Sequence, residues 1–203
     1  MAVGMSVYND KNTLQLDDRC ITYGLIDKYT TRDLSNLYDK VCAYSPTVSG
    51  GKIQVKPMSN YSQPNDVDVF IFGQSNNTGN VGLQIFREDS SIAFHSADKP
   101  IRVVDFIRTP VINEQGRQEM VKVTKTYTGY GRLGVIVGNS TAIIFVPSNP
   151  NLAVQLIQPQ ITITDGTIEF AGYGTGINPG VRDSLILMPG GYNDYIVVDL
   201  TDY

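Results

Sequence analysis

The residues of this 203-residue chain that could carry out acid–base or nucleophilic chemistry are few. Its single histidine, His95, follows the apolar run Ile92-Ala93-Phe94. That position is more typical of a surface histidine or a hairpin-end histidine than of a general base. The sequence also lacks a nucleophile elbow, a Walker loop and a dinucleotide-binding fingerprint. We therefore predict that the protein is not an enzyme.

Two groups of aspartates are dense enough to be considered as acid–base pairs or as calcium ligands. They are Asp17-Asp18 and, near the end of the sequence, Asp194, Asp199 and Asp202. Neither spacing matches a calcium-binding loop, and Asp17-Asp18 closes a predicted hairpin. Acidic side chains at turns and sheet edges explain both groups. No metal site and no cofactor are predicted.

A glycine-rich segment and two cysteines complete the chemical inventory. Residues 172–176 (GYGTG) have the composition of a phosphate-binding loop, but no strand–helix–strand pattern surrounds them. We therefore predict a flexible loop there. Cys20 and Cys42 do not form a CxxC motif, and we expect two buried thiols rather than a disulfide or zinc site.

Tyrosines in predicted loops are the candidate contact residues. Loop tyrosines beside glycine and asparagine form adaptable surfaces that stack on sugar rings or on a neighbouring subunit. They could equally cover the ends of a sheet. The candidates are Tyr127, Tyr130, Tyr173, Tyr192 and Tyr195.

Composition and charge narrow the class of protein. Nineteen glycines, twelve tyrosines, ten prolines and no tryptophan are typical of a β-protein rich in turns. Charged residues make up 18% of the chain, the net charge is −4, and Lys and Arg do not cluster. We therefore expect neither nucleic acid nor membrane as a partner. The N-terminal residues lack the pattern of a signal peptide, so we expect synthesis and folding in a cytoplasm.

An internal repeat organises the sequence. Residues 3–16 and 81–94 match in chemistry at a constant offset of 78, from VGMSVY and VGLQIF onward. Each copy is followed by a β-branched run, at residues 21–26 and 101–107. The repeat therefore predicts that one three-stranded unit is used twice.

Three hairpins are predicted with their registers. In the two copies of the repeat, a four-residue connection would let Val7 face Leu14 and Ile85 face Ile92. Further along, residues 161–170 place Asp-Gly between two alternating arms, the pattern of a type I′ turn.

The predicted fold class is all-β, with two tandem antiparallel sandwich or barrel-like modules. Residues 1–75 would form a divergent docking module, and residues 80–203 a complete module, separated by the polar stretch 73–80. The only predicted helix lies at residues 32–41, where apolar residues recur at helical spacing.

The second copy continues as Ile92-Ala93-Phe94-His95-Ser96-Ala97-Asp98-Lys99-Pro100 and then Ile101-Arg102-Val103-Val104. It resembles a family of small tail proteins of tailed bacteriophages. Members of that family open with a Gly-Leu-Gln-(Val/Ile)-(Phe/Tyr) strand and continue through Phe-Asp-Ser and Asp-Arg to an Arg-(Val/Ile)-Val strand. Here His95 stands where the family prefers Asp, and Lys99 where it prefers Arg. The resemblance covers residues 81–203, and residues 1–75 loosely.

The resemblance implies a non-enzymatic structural protein of the virion, at the tail tip, baseplate or fibre attachment, with a role in assembly or host contact. Its expected partners are other virion proteins and identical copies in a symmetric assembly. One alternative is a carbohydrate-binding adhesin that recognises a host surface glycan through the loop tyrosines. Another is a capsid decoration protein, and a polymer hydrolase is the least favoured.

Overall fold

The computed structural model describes residues 6–8, 14–17, 23–34, 37, 40–55, 62–74, 82–114, 117–140, 143–145, 154–177 and 191–203. Within these ranges the chain forms strands and no helix, which confirms the all-β class. No described segment is a helix of membrane-crossing length and hydropathy. The strands are β1 (Ser6–Tyr8), β2 (Leu14–Asp17), β3 (Tyr23–Asp33), β4 (Val41–Pro46), β5 (Gly51–Gln54), β6 (Ser62–Gln74), β7 (Gln84–Phe86), β8 (Ile92–His95), β9 (Arg102–Glu114), β10 (Arg117–Met120), β11 (Val123–Thr126), β12 (Leu133–Asn139), β13 (Ile143–Phe145), β14 (Val154–Thr164), β15 (Thr167–Ile177) and β16 (Tyr192–Asp199).

A seven-stranded antiparallel sheet contains strands from both parts of the sequence. Its order is β10-β9-β16-β12-β4-β6-β3. The last three of these strands precede residue 75 and the first four follow residue 80, so the predicted tandem modules 1–75 and 80–203 are not confirmed. Either part alone would leave a long edge, β4 or β12, without a neighbour. Instead, the two strands pair with each other through Tyr44 with Val135 and Ala43 with Ile136.

Both parts of this sheet have the same strand order. In the N-terminal part β6 lies between β3 and β4, and in the C-terminal part β16 lies between β9 and β12. Each part therefore inserts its last strand between its first and middle strands. The middle strands β4 and β12 meet antiparallel, with Ala43 opposite Ile136. The sheet thus has a pseudo-twofold axis at this pair.

The equivalence holds at the level of register and reproduces the offset of the sequence repeat. Lys28 of β3 faces Phe70, and Phe106 of β9, 78 positions later, faces Ile196. A bulge interrupts both ladders at corresponding places, where the residues without an opposite partner are Ile26 and Val104. The duplication therefore includes all three strands of each half.

The residue after each bulge is also duplicated. Asp27 accepts a hydrogen bond from the backbone N–H of Lys28 at 2.8 Å, and Asp105 accepts one from Phe106 N–H at 2.8 Å. A bulge breaks the regular ladder, so a carboxylate beside it supplies an acceptor for the next amide.

The two hairpins of the repeat, β1–β2 and β7–β8, are present, but their predicted register is wrong. Val7 pairs with Leu16 and Ile85 pairs with Phe94, with a register shift just after Val7 and after Ile85. Both copies therefore share one geometry.

The turn of the second hairpin explains the register shift. Ser90 N–H donates to the Arg87 carbonyl at 2.9 Å, and Ser90 takes a left-handed conformation with φ of 67°. Arg87 N–H then donates to the Ser91 carbonyl at 2.8 Å. The turn therefore contains one residue more than predicted, as in hairpins whose loop ends in a bulge, and the register shifts accordingly.

A second, five-stranded sheet packs on the first. β14 pairs along its length with β15 and on its other side with β13 and β5, while β11 pairs with β15. The predicted Asp-Gly hairpin is confirmed, with Ile163 opposite Ile168 and φ of 41° and 80° at Asp165 and Gly166. The predicted loop 172–176 is wrong, because these residues continue β15.

The main core lies between the two sheets. Aliphatic side chains of β5, β14 and β15 face those of β9, β12 and β16, and the ring of Phe170 stacks on Tyr195 with centroids 4.6 Å apart. The core residues are Ile53, Val67, Ile107, Leu133, Val135, Ile161, Ile163, Ile168, Phe170, Tyr195 and Val197.

The seven-stranded sheet curls so that its ends approach each other. Gly24 of β3 forms a bridge with Pro100, two residues before β9 begins, and Leu25 N–H donates to the Lys99 carbonyl at 2.8 Å. The concave face, which carries Phe70 and Phe72, is filled by Leu200 and by the ring of Tyr203.

The predicted helix at residues 32–41 is wrong in its described part. Residues 32 and 33 end β3, residue 41 begins β4, and Leu34 and Leu37 are not helical. Leu37 is buried against Cys42, which is also buried, so the spacing reflects a connection that covers the sheet. Residues 35, 36, 38 and 39, and Cys20, lie outside the described residues.

The turn at Gly166 should be sensitive to a single methyl group. A Cβ there would lie 2.7 Å from the Tyr127 carbonyl oxygen at a φ of +80°, whereas a Cβ on Gly129, at +88°, meets nothing within 4 Å. We expect Gly166→Ala to lower the free energy of unfolding by about 3 kcal/mol and Gly129→Ala by about 1 kcal/mol, measured by urea denaturation. Equal losses would contradict the steric explanation.

Candidate functional site

A pocket of about 380 Å³ opens at one end of the sandwich. Because β4 and β12 are antiparallel, the end of β4 lies beside the beginning of β12. The β14–β15 turn reaches the same place, since Gly50 N–H donates to the Ile163 carbonyl at 2.8 Å. Three segments line most of the pocket: residues 45–49, residues 130–133 and the turn at 165–166.

A charged pair lies within the pocket lining. Arg132 donates from Nη2 to Asp68 Oδ2 at 2.7 Å and from Nε to Ser45 Oγ at 3.1 Å. The second oxygen of Asp68 accepts a hydrogen bond from the hydroxyl of Thr30. The guanidinium also lies over the ring of Phe70, 5.1 Å from its centroid. Both charges are thus held in one geometry.

The surroundings of Asp68 lower its pKa. Burial alone would raise the pKa of this carboxyl, but the hydrogen bonds from Thr30 and Arg132 and the charge of Arg132 outweigh it. Asp68 therefore stays ionised at the pH values where most proteins are stable, and it is an electrostatic anchor rather than a general acid.

The other lining groups are suited to hydrogen bonding with a polyol. Asp165 accepts a hydrogen bond from the Ser49 hydroxyl at 2.7 Å, and the ring of Tyr130 is 39% exposed. Thr201 Oγ1 accepts from the backbone N–H groups of Gly131 and Arg132 at 2.9 and 3.2 Å, which holds the segment after Tyr130 in place. A carboxylate, hydroxyls and an aromatic ring on fixed backbone are groups with which proteins orient small polar ligands.

Of the five candidate tyrosines, Tyr127 and Tyr130 belong to the same segment but have different environments. Tyr130 lines the pocket, whereas Tyr127 is half-buried and donates from its hydroxyl to Asp105 Oδ2 at 2.9 Å. Burial, and then this contact with the Asp105 carboxylate, raises the pKa of Tyr127 well above the usual tyrosine range. Tyr127 is therefore a structural group.

The remaining candidate tyrosines do not line the pocket. Tyr173 is 40% exposed on β15, seven residues or roughly 20 Å of strand from the turn at Gly166. Tyr192 is 47% exposed at the beginning of β16, opposite Pro110. Tyr195 is 2% exposed and belongs to the core, which makes its predicted surface position wrong.

The histidine and the C-terminal aspartates that the sequence offered as candidates also make structural contacts. His95 is buried rather than at the surface, and its Nδ1 accepts the N–H of Ala97 at 3.0 Å. Asp194 binds Arg108, while Asp199 and Asp202 both contact Arg102. The side chain of Asp17, and all of Asp18, lie outside the described residues.

Sequence reasoning missed Asp68 and Arg132. Asp68 had a detectable signal, because it is the only charged residue within the apolar run from Val67 to Phe72, and a buried carboxylate requires a partner. Arg132 had no detectable signal in the sequence, because its contact with Asp68 depends on how the two parts of the sheet meet.

Comparison with known proteins identifies no relative. A scan of family models, a search of the curated proteins and a search of the solved structures each find no match. Among the described residues, no group of three or more His, Cys, Asp or Glu side chains is placed to hold a metal ion.

The Asp68–Arg132 pair should give stability a specific pH dependence. A carboxyl with a lowered folded-state pKa stabilises the fold above its unfolded-state pKa, and this contribution is lost as pH falls through the folded-state value. We expect Asp68→Asn to cost about 2 kcal/mol at pH 7, and the difference from wild type to shrink below the usual carboxyl range. Denaturant titrations across pH would measure it.

Asp66→Asn, which breaks the exposed Arg32–Asp66 pair, is the matched control and should cost at most about 1 kcal/mol. A pH-independent loss in Asp68→Asn would refute the electrostatic role.

Proposed function

We propose that this chain is a non-enzymatic structural protein of a tailed-bacteriophage virion, placed at the tail tip, baseplate or fibre attachment. The observation that carries the proposal is the position of the family-like motif. The β7–β8 hairpin lies outside both large sheets, and its Leu83 and Phe86 are each 51% exposed. Other residues of the same hairpin, Ile85, Ala93 and His95, are buried.

An ordered hairpin that is anchored by buried residues and also exposes large apolar side chains is suited to contact with a neighbouring protein. The duplication supports this interpretation, because β1–β2 has the same register as β7–β8. A chain with two hairpins of equivalent register offers two similar contact elements. Assembly into a larger particle would use both.

The proposal predicts that the chain is a component of purified particles and that the hairpin attaches it. Leu83→Ser combined with Phe86→Ser should leave the circular dichroism spectrum of the isolated chain unchanged, because both side chains are exposed. The amount of chain in purified particles should fall at least tenfold. Quantitative mass spectrometry of particles would measure both the wild-type content and its loss.

The matched control is Tyr173→Ser, which alters an aromatic side chain that is 40% exposed outside the hairpin. Particles without the chain that remain intact and infectious would refute the structural role. A copy number close to that of the capsid subunits would instead indicate a capsid decoration protein.

The pocket supports a second candidate, recognition of a host surface glycan. Its support is the placement of the exposed Tyr130 ring beside the Asp165 carboxylate and the hydroxyls of Thr47 and Ser49. Aromatic rings stack on sugar faces, and carboxylates accept hydrogen bonds from sugar hydroxyls. The ligand would then be one sugar unit of a polysaccharide.

Tyr130→Ala should weaken binding to the recognised polysaccharide at least tenfold, measured by calorimetry against bacterial surface polysaccharides. Tyr173→Ala, on a different part of the molecule, should leave the affinity unchanged. If no polysaccharide gives a heat of binding, the adhesin alternative is wrong, while the structural role stands.

A further inference from the structure

The duplication provides an internal comparison of surfaces. Residues 102–111 of β9 and the residues of β16 have equivalents on β3 and β6 at the same place in the sheet and on the same face. Phe70 and Ile196 are equivalent in this sense, and both contribute to the apolar concave face. Where two equivalent exposed positions carry different side chains, the shared backbone geometry does not explain the difference.

In the N-terminal part, the exposed side chains on the face of Phe70 are Lys28, Thr30, Arg32 and Asp66, and three of these four are charged. Lys28, directly opposite Phe70, is exposed, with its ammonium 4.7 Å from the Phe70 ring centroid. Further along the same face, Arg32 Nε and Asp66 Oδ1 form an ion pair at 2.6 Å, with more than half of each side chain exposed. This arrangement is typical of a surface in contact with water.

In the C-terminal part, apolar or aromatic residues take the places of Lys28, Arg32 and Asp66, while Arg108 takes the place of Thr30. Phe106 takes the place of Lys28 and is 70% exposed. Pro110 and Tyr192, which face each other, take the places of Arg32 and Asp66. Val103 on the same face is 51% exposed. We name Val103, Phe106, Pro110 and Tyr192, with the Arg108–Asp194 pair between them, the aromatic face.

The aromatic face carries no net charge. Arg108 donates to both oxygens of Asp194, from Nε at 2.7 Å and from Nη2 at 3.1 Å. Its guanidinium also lies over the ring of Tyr192, 5.1 Å from the centroid. The hydrogen bond from Arg108, followed by its charge, lowers the pKa of Asp194 and keeps the pair ionised. An acidic or basic partner would therefore find no complementary charge here.

A second copy of the chain would present the same apolar surface without net charge. The whole chain has a net charge of −4, but two neutral faces can meet without like-charge repulsion between them. In a twofold interface the same patch serves both partners, and aromatic residues with arginine are enriched at interface centres. On β3 and β6, the exposed charges of Lys28, Arg32 and Asp66 would have to lose their water in such a contact, which costs free energy.

We infer that the aromatic face is a twofold interface between two copies of this chain, with Phe106 and Tyr192 of each copy packed against the other. The inference deepens the proposed function by naming an identical copy as one partner in the particle. It concerns the purified chain, so it can be tested apart from the virion.

Phe106→Lys is the decisive variant, because it installs the side chain that the other half of the molecule already carries at the equivalent position. Sedimentation equilibrium over a concentration series should show a dimer for the wild-type chain. The variant should raise the dissociation constant at least about 30-fold, the effect of losing an interface residue of this kind. Tyr173→Lys, on the other sheet, should leave dimerisation unchanged.

Thermal unfolding will show whether Phe106→Lys is folded. Should it fail to fold, Tyr192→Asp provides a second test, since Asp66 occupies the equivalent position. A wild-type chain that stays monomeric at all concentrations, or a dimer that folded variants do not weaken, overturns the inference. If the chain is monomeric in solution but present in particles, the dimer inference is wrong and the proposed function stands. If the chain is a dimer but absent from particles, the dimer inference stands and the proposed function is wrong.

Discussion

The antiparallel contact between β4 and β12 is the interaction on which the rest of the structure depends. It joins two three-stranded units of equal topology, and the pair Ala43–Ile136 lies on the pseudo-twofold axis. Backbone hydrogen bonding across this seam removes two sheet edges at once. It also brings the end of β4 to the start of β12, and so creates the pocket that contains Arg132 and Asp68. The fold and the candidate site therefore have a common origin.

Local signals in the sequence predicted where hairpins form, but not all of their registers. The Asp-Gly hairpin was predicted to the residue because its turn sets its register. The repeat hairpins were predicted as hairpins, but alternating apolar residues allow more than one register, and the bulge after Ile85 decided between them. The false helix had a similar cause, because the spacing of Leu34 and Leu37 suits a helix as well as a buried connection.

Contacts between distant parts of the chain had no such signal. The repeat indicated two copies, but nothing in either copy showed that β4 would pair with β12 instead of closing a separate module. The candidate site depended on the same contact, since Arg132 and Asp68 come from different halves. Tyrosine composition located Tyr130 and Tyr192 at the surface but could not distinguish them from Tyr195, whose apolar neighbours on β16 place it in the core.

The insertion of the last strand of each half between two earlier strands has a consequence for folding during synthesis. The N-terminal unit can complete β3-β6-β4 once Gln74 has left the ribosome. In the second unit, β9 and β12 cannot gain their shared neighbour until β16, which starts at Tyr192, has been made. The nascent chain therefore carries unpaired strand edges through most of its translation, the period when aggregation competes with folding. The earlier-formed half provides β12 with one ordered edge to pair against during that interval.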